Sequence, residues 1–196
     1  MDKKELLIKV ILGLILAYIL YKIYSWARQK HSLTSVVING KEHFVRNMED
    51  KEEAAKMMNE IKSRMEKLMK YIKDKETDDE KIDRIYSNLD IDNIKETDMN
   101  EDATSYSINK GSEFSICMRE KDDESHKLHD INLLMFVTIH ELAHLMSVSY
   151  GHNEEFEENF KYLLKMAIDA GVYSNVNYDN NSKNYCGMEV TDNPLF

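Results

Sequence analysis

The chain has 196 residues, of which 42% are hydrophobic and 32% are charged, with one proline and six glycines. This length is enough for one domain with its own core, and the scarcity of proline and glycine excludes a collagen-like or proline-rich scaffold. The formal net charge is −10, and lysines and arginines are scattered among aspartates and glutamates rather than clustered. Because such a surface repels phosphates, we expect no nucleic-acid partner.

Residues 6–27 form an apolar segment that we predict to be a membrane-spanning helix. Its uncharged part, residues 10–21, is too short by itself for a hydrocarbon core of ~30 Å. The stems of Lys9 and Lys22 can extend to the lipid headgroups, however, which makes the segment long enough to cross. Aromatic residues typical of a membrane interface gather at its C-terminal end: Tyr18, Tyr21, Tyr24 and Trp26.

Two other interpretations of this segment remain open. A cleaved signal peptide would have Lys3 and Lys4 as its basic region and Ser25-x-Ala27 as its cleavage site. A buried amphipathic helix fits less well, because the segment is apolar on every face. We predict a single-pass anchor in residues 1–30 and a folded domain in residues 31–196.

The side of the membrane that the domain faces is not fixed by charge, because lysines and arginines flank the apolar segment at both ends. The chain has two cysteines, Cys117 and Cys186, which are too few for a disulfide scaffold. A single disulfide between them is an alternative, but we interpret them as reduced thiols. Reduced thiols favour the cytosolic side.

The first elements after the anchor are predicted to be a hairpin and a long helix. Two short runs, 35–38 and 41–46, flank Asn39-Gly40, which is a typical two-residue hairpin turn. Residues 50–74 then show helical periodicity. The apolar stripe of this helix consists of Ala54, Met58, Ile61, Met65, Leu68 and Ile72. We expect the stripe to pack on the domain's own sheet, with a coiled-coil contact to a partner as the alternative.

The rest of the chain is predicted to contain a short helix, a second hairpin and two longer helices. In chain order the predicted bounds are 81–89 for the short helix, 104–109 and 112–119 for the hairpin strands, and 130–149 and 154–171 for the longer helices. The acidic residues between these elements are expected to form solvated loops. The last 25 residues, rich in Asn and Tyr, are predicted to be irregular.

The helix 130–149 is apolar on nearly every side, yet it contains His140, Glu141 and His144. Burial of ionisable groups without partners costs several kcal/mol. The two histidines lie one turn apart on the same face, so both could bind one metal ion, while Glu141 is rotated by ~100° and suits a role beside the metal. This is the H-E-x-x-H pattern of zinc peptidases. Two satisfied core histidines are the alternative.

A catalytic zinc ion needs a third protein ligand and an open position. His152 is our prediction for that ligand, because Gly151 permits a reversal of the chain and Asn153 is a suitable N-cap for the next helix. The alternatives are three glutamates that follow it: Glu154, Glu155 and Glu158. The ligands suit zinc, and also other divalent transition metals.

The HELAH sequence followed by Gly151-His152-x-x-x-Phe156 resembles the WLM and SprT-like zincin peptidases, over about residues 104–171. The apolar N-terminus and the closing Tyr185-Cys-Gly-Met also resemble uncharacterised membrane-anchored proteins of large DNA viruses and their algal relatives. The family resemblance implies an α+β zincin-like domain with a small antiparallel sheet, a long packing helix, the HExxH helix and a following helix. It also implies zinc bound by the three histidines. WLM members often have Asp where this chain has Asn153.

These observations predict a zinc metalloendopeptidase in which Glu141 activates the attacking water. A protein or peptide substrate would add as a strand to the edge of residues 112–119. An oxyanion donor is expected among the tyrosines Tyr150, Tyr173, Tyr178 and Tyr185. The alternatives are a non-catalytic, zinc-stabilised, membrane-tethered binding or structural protein, and a metal-free membrane-surface adaptor that uses the apolar stripe of the long helix.

Overall fold

The computed structural model describes residues 3–30, 32–75, 80–99, 104–108, 113–121 and 126–196. These residues form an α+β structure with small sheets and five α-helices, the first of which is the apolar N-terminal helix. In chain order the elements are α1 (Lys3–Lys30), β1 (Leu33–Ile38), β2 (Lys41–Arg46), α2 (Lys51–Lys75), α3 (Glu80–Asn88), a 3-10 turn (Ile91–Asn93), β3 (Ile94–Glu96), β4 (Tyr106–Ile108), β5 (Glu113–Ile116), α4 (Ile131–Met146), α5 (Glu154–Asp169), β6 (Lys183–Tyr185) and β7 (Met188–Val190).

Helix α1 is long and apolar enough to cross a membrane. Its segment Lys4–Ser25 has 22 residues and a mean hydropathy of 2.2, and none of it is buried against the rest of the chain. A signal sequence has the same properties, so the anchor in residues 1–30 stays a prediction. Helix α1 ends at Lys30 and strand β1 begins at Leu33, so the connection to the domain is very short.

The first predicted hairpin and the long helix are confirmed. Strands β1 and β2 pair in antiparallel register through Asn39 and Gly40, which both have positive φ, at 52° and 78°. This is the left-handed geometry that a type I′ turn requires. All six residues of the predicted stripe on α2 are fully buried, and the helix contacts the β1–β2 hairpin, α4 and α5. The stripe therefore packs within the domain, as expected.

The second predicted hairpin is part of a three-stranded sheet in the order β3-β5-β4. Strands β4 and β5 are antiparallel, as predicted, although both are shorter than expected and the predicted turn at 109–112 lies outside the described residues. Strand β3 was not predicted and pairs with β5 in parallel. The expectation that a peptide adds to residues 112–119 is wrong, because both edges of β5 are already paired. Within the described part of the chain, β4 pairs on one side only.

The two longer predicted helices are confirmed as α4 and α5, and they pack against each other. Helix α4 begins after Asp130, whose carboxylate accepts hydrogen bonds from the backbone N–H groups of Asn132 and Leu133 at 3.0 Å. Helix α5 begins after Asn153, whose side chain accepts from the backbone N–H of Phe156. Both caps satisfy N–H groups that have no partner inside the helix. The short predicted helix is also confirmed, as α3.

The prediction of an irregular C-terminus is wrong in part, because strands β6 and β7 form a hairpin. Its turn residues Cys186 and Gly187 have φ values of 52° and 81°. The prediction of two reduced thiols is also wrong, because Cys186 forms a disulfide with Cys117, at the end of β5. The two Cα atoms are 6.2 Å apart, within the ordinary range for a disulfide. This bond attaches the C-terminal hairpin to the three-stranded sheet.

Candidate metal centre

Three histidine side chains meet at the end of α4. His140 and His144 project from consecutive turns of α4, and His152 approaches from the loop between α4 and α5. One ring nitrogen from each lies within 4.8 Å of the other two, and the Nε2 atoms of His140 and His152 are 3.0 Å apart. The ring centroids are 4.9 to 5.0 Å from one another. The structure thus brings the three predicted ligands together.

This arrangement fits a tetrahedral divalent metal. Ligand nitrogens at ~2.0–2.1 Å from a zinc ion lie about 3.3 Å from each other in tetrahedral geometry. Burial, together with a smaller effect of the neighbouring histidines, lowers the pKa of His140 to about 3 and that of His144 to about 4. Both imidazoles are therefore neutral at physiological pH, with a lone pair available for a metal.

An aromatic residue on α5 supports the three rings from one side. Phe156 packs against His140, His144 and His152 with centroid distances of 4.8, 4.3 and 4.7 Å. It is almost fully buried, so its position is fixed by the core. The Phe of the Gly-His-x-x-x-Phe pattern therefore orients the histidine rings rather than contributing a ligand atom.

The loop that presents His152 is held in place by Glu155. The carboxylate of Glu155 accepts hydrogen bonds from the backbone N–H groups of Val148 and Ser149 at 2.8 and 3.1 Å, and from the Ser149 hydroxyl at 2.5 Å. Gly151 adopts a φ of +84°, which allows the chain to reverse. The metal-competent cluster found among the described residues includes His152 and none of the three alternative glutamates.

We expect Glu155→Ala to weaken metal binding about tenfold, with the fold intact, because the loop loses the acceptor that fixes its backbone. Glu154→Ala is the matched control, since Glu154 lies in the same helical turn without these bonds. Metal titration followed by calorimetry measures both. Equal affinity of the two variants would contradict this role for Glu155.

The stability of the same loop should depend on pH. The hydrogen bonds from Ser149 and Val148 hold the pKa of Glu155 at about 2, below its ordinary value of 4.5. A carboxyl whose pKa is lowered in the folded chain stabilises the fold at pH values above its ordinary pKa. This contribution is lost as the pH falls from the ordinary pKa to the lowered pKa. The loop should therefore loosen between about pH 4.5 and about pH 2.

Glu141 lies beside the histidines with only 8% of its surface exposed. Burial raises the pKa of its carboxyl to about 7. Among the described residues, none donates a hydrogen bond to this carboxyl or pairs with it. A carboxyl in this environment exchanges a proton near neutral pH, as a general base must.

The three histidines and Glu141 open into a cavity of about 920 Å³. One wall is formed by α4 and α5, the second by the start of β4, and the third by the C-terminal hairpin and the residues after it. A cavity of this size accommodates several residues of an extended peptide. The third wall was not predicted, because the C-terminus was expected to be irregular.

Two of the four candidate tyrosines line this cavity, Tyr150 and Tyr185. The Tyr185 hydroxyl is 2.5 Å from the Ser105 hydroxyl, and burial raises the pKa of Tyr185, with a smaller contribution from Glu141. Tyr185 therefore stays protonated and able to donate. Tyr173 and Tyr178 instead pack around the ring of Phe136 and are absent from the cavity lining.

His129 supports the wall of the cavity that the C-terminal hairpin forms. It is 6% exposed, and its Nε2 accepts a hydrogen bond from the backbone N–H of Cys186 at 3.3 Å. Its ring lies 5.0 Å from the ring of Tyr185. In the sequence, the Cys186-Gly187 pair could have indicated the turn of this hairpin. Cysteine, however, is not typical of left-handed turn positions.

No family model matches the chain. The chain is similar to uncharacterized protein R325 of Acanthamoeba polyphaga mimivirus, with 29% identity over 97% of this chain and 98% of that protein. It is also similar to uncharacterized protein 136R of Invertebrate iridescent virus 6, with 36% identity over 47% of this chain and 51% of that protein. A likeness to viral proteins was expected from the sequence, and it is confirmed.

The fold is similar to crystal structures of Wss1 from Saccharomyces cerevisiae. The first has a TM-score of 0.48 and 19% identity, covering 63% of this chain and 83% of that one. The second, a mutant, has a TM-score of 0.49 and 19% identity, covering 66% and 91%.

Proposed function

We propose that this chain is a zinc-dependent metallopeptidase. His140, His144 and His152 would hold the metal, and Glu141 would be the general base. The observation that supports this most directly is the convergence of three ligand nitrogens within 4.8 Å of one another, next to a buried carboxyl and at the base of a cavity. The H-E-x-x-H spacing on a buried helix supports the same function.

The donor atoms suit a catalytic metal rather than a closed structural site. Three imidazole ligands would leave one position of a tetrahedral ion open toward the cavity. When bound, zinc would supply Lewis acidity, which activates water near neutral pH and polarises a peptide carbonyl. Structural zinc sites, in contrast, use four protein ligands.

Glu141 would accept the proton of the attacking water and pass it to the leaving amine. Its raised pKa, about 7, is close to the pH at which a peptidase operates, which suits transfer in both directions. Tyr185 is a buried residue that lines the cavity, and its hydroxyl would stabilise negative charge on the carbonyl oxygen. Tyr150, which is 87% exposed, is the alternative donor.

The substrate would be a protein or peptide segment in extended conformation. Strand β4 pairs with β5 on one side, and residues at its start line the cavity. An extended segment can form backbone hydrogen bonds with such an edge. Nucleic acid is not expected as a partner, and α1 would attach the enzyme to a membrane.

The metal centre is tested by zinc content. The full chain, purified in a non-ionic detergent, should contain about one zinc per chain, and His152→Ala should bind zinc more than tenfold more weakly. His126→Ala is the control, because His126 lies outside the cluster. Mass spectrometry and competition with a chelator measure both values.

Two results would change the proposal. If wild type and His152→Ala bind zinc equally, the third ligand is one of the glutamates of α5. If the folded wild-type chain takes up no zinc or other divalent transition metal, it is not a metallopeptidase.

A further inference from the structure

The cavity beside the histidines is strongly acidic. Its described lining contains no lysine or arginine and four carboxylates: Glu141, Glu157, Glu189 and Asp192. The carboxylates of Glu157, Glu189 and Asp192 alone outnumber the two positive charges of a bound dication, so the cavity keeps a net negative charge. Clefts lined by charge of one sign concentrate ligands of the opposite sign.

Three of these carboxylates come from two different parts of the chain. Glu157 belongs to α5, whereas Glu189 and Asp192 belong to the C-terminal hairpin and the segment after it. Glu189 accepts a hydrogen bond from the Ser182 hydroxyl. Among the described residues, no lysine or arginine forms an ion pair with Glu157, Glu189 or Asp192. Their charge is therefore available to a ligand.

The Glu141 side chain also lines this cavity. It is more than nine-tenths buried, it lines the cavity, and it has no hydrogen-bond or ion-pair partner in the described part of the chain. A buried carboxyl without a partner is costly, so a water molecule or a ligand in the cavity would hydrogen-bond with it.

Part of the cavity lining is apolar. Phe136, Val137 and Phe160 line it from α4 and α5, and Met188 and Pro194 line it from the C-terminal side. An apolar side chain of a ligand would bury its surface against these residues. The edge of β4 that has no partner strand among the described residues would hold the backbone of the same segment.

We propose that the cavity selects an extended polypeptide segment in which lysine or arginine flanks an apolar residue, with Glu157 and Asp192 determining this specificity. This inference rests on the proposed peptidase function and names the substrate class of that site. The carboxylates act by charge complementarity, which improves the encounter and the binding of cationic segments.

The test compares two peptides with the same apolar centre, one flanked by lysines and one by glutamines. With the zinc-loaded full chain at low salt, kcat/KM should be at least tenfold higher for the lysine peptide. In the variant Glu157→Gln/Asp192→Asn, the preference should fall to about twofold, since each exposed charge pair contributes roughly a two- to fivefold effect. Salt at ~0.5 M should reduce the wild-type preference in the same way.

The matched control is Glu158→Gln/Asp179→Asn. It removes the same charge from exposed residues that do not line the cavity, so the preference should remain at the wild-type value. If the control loses the preference equally, the net charge of the chain is responsible rather than the cavity, and the proposal is wrong.

Binding separates this inference from the proposed function. Fluorescence anisotropy with the zinc-loaded Glu141→Gln variant should show the same preference for the lysine peptide without any hydrolysis. Equal binding and equal cleavage of both peptides would overturn the inference while the peptidase function stands. Preferential binding of the lysine peptide without cleavage by wild type would uphold the inference about the ligand and refute the peptidase function.

Discussion

Glu141→Gln should reduce kcat for peptide hydrolysis by about 10³-fold while zinc content stays at the wild-type level. General acid–base catalysis by one side chain contributes on the order of 10²- to 10⁴-fold, and the glutamine amide cannot accept a proton. The substitution preserves the shape of the side chain, and the three histidines that would bind zinc are unchanged. Single-turnover kinetics with the full chain in detergent measures the change.

The same variant should not be less stable than wild type. Burial raises the pKa of Glu141 to about 7, so its ionised form is disfavoured in the folded chain. A carboxyl whose pKa is raised in the folded chain destabilises the metal-free fold at pH values above its ordinary pKa of 4.5. Glutamine is neutral at every pH and removes this cost. Thermal unfolding of metal-free protein at pH 8 measures it, with the exposed Glu158→Gln as control.

Full turnover in Glu141→Gln would contradict the mechanism. Zinc in both proteins with turnover in neither, over a broad set of protein substrates, would instead identify a zinc-stabilised binding or structural protein. These two results differ in wild-type activity, so one experiment distinguishes them.

Loss of the disulfide should lower the free energy of unfolding by about 4 kcal/mol. Cys117 and Cys186 are separated by 69 residues, and a bond that closes a loop of this length restricts the unfolded chain by that amount in the chain-entropy description. Cys117→Ser/Cys186→Ser should therefore unfold roughly 10 °C lower than wild type. Calorimetry under oxidising conditions measures the difference.

A second variant separates the effect of losing the disulfide from the effect of changing the turn residue at position 186. Cys186 has a left-handed backbone, which serine adopts at a cost, whereas asparagine is favoured there. Cys117→Ser/Cys186→Asn should still lose most of the stability, and a reducing agent should destabilise wild type alone. If reduction leaves the wild-type midpoint unchanged, the disulfide contributes nothing to stability.

The disulfide bond also bears on which side of the membrane the domain faces. Reduced thiols had favoured the cytosolic side of a membrane, but disulfides persist in oxidising compartments. That argument for a cytosolic domain no longer holds.

Much of the candidate site could be predicted because its geometry is local. His140 and His144 are four residues apart, so any helix places them on one face. Gly151 and Asn153 specify a chain reversal and a helix start within a few residues of His152. The Asn39-Gly40 hairpin was predictable for the same reason, since its turn residues are those that prefer positive φ.

The parts that were missed depend on contacts distant in sequence. The C-terminal hairpin is joined to Cys117 by the disulfide and to His129 by a hydrogen bond. These partners precede Cys186 by 69 and 57 positions, and no local pattern specifies them. Strand β3 lies parallel to β5, so no hairpin turn marks that pairing. The central place of β5 in the sheet depends on β3, so it could not be predicted either.

The short connection between Lys30 and Leu33 limits how far the domain can move from α1. The two intervening residues extend to about 10 Å at most. If α1 crosses a bilayer, the domain searches the membrane surface in two dimensions. A protein anchored in the same membrane then meets the cavity at a higher effective concentration than a soluble protein of the same abundance. The same peptide bond would consequently be cut faster in a membrane-bound protein than in a free one.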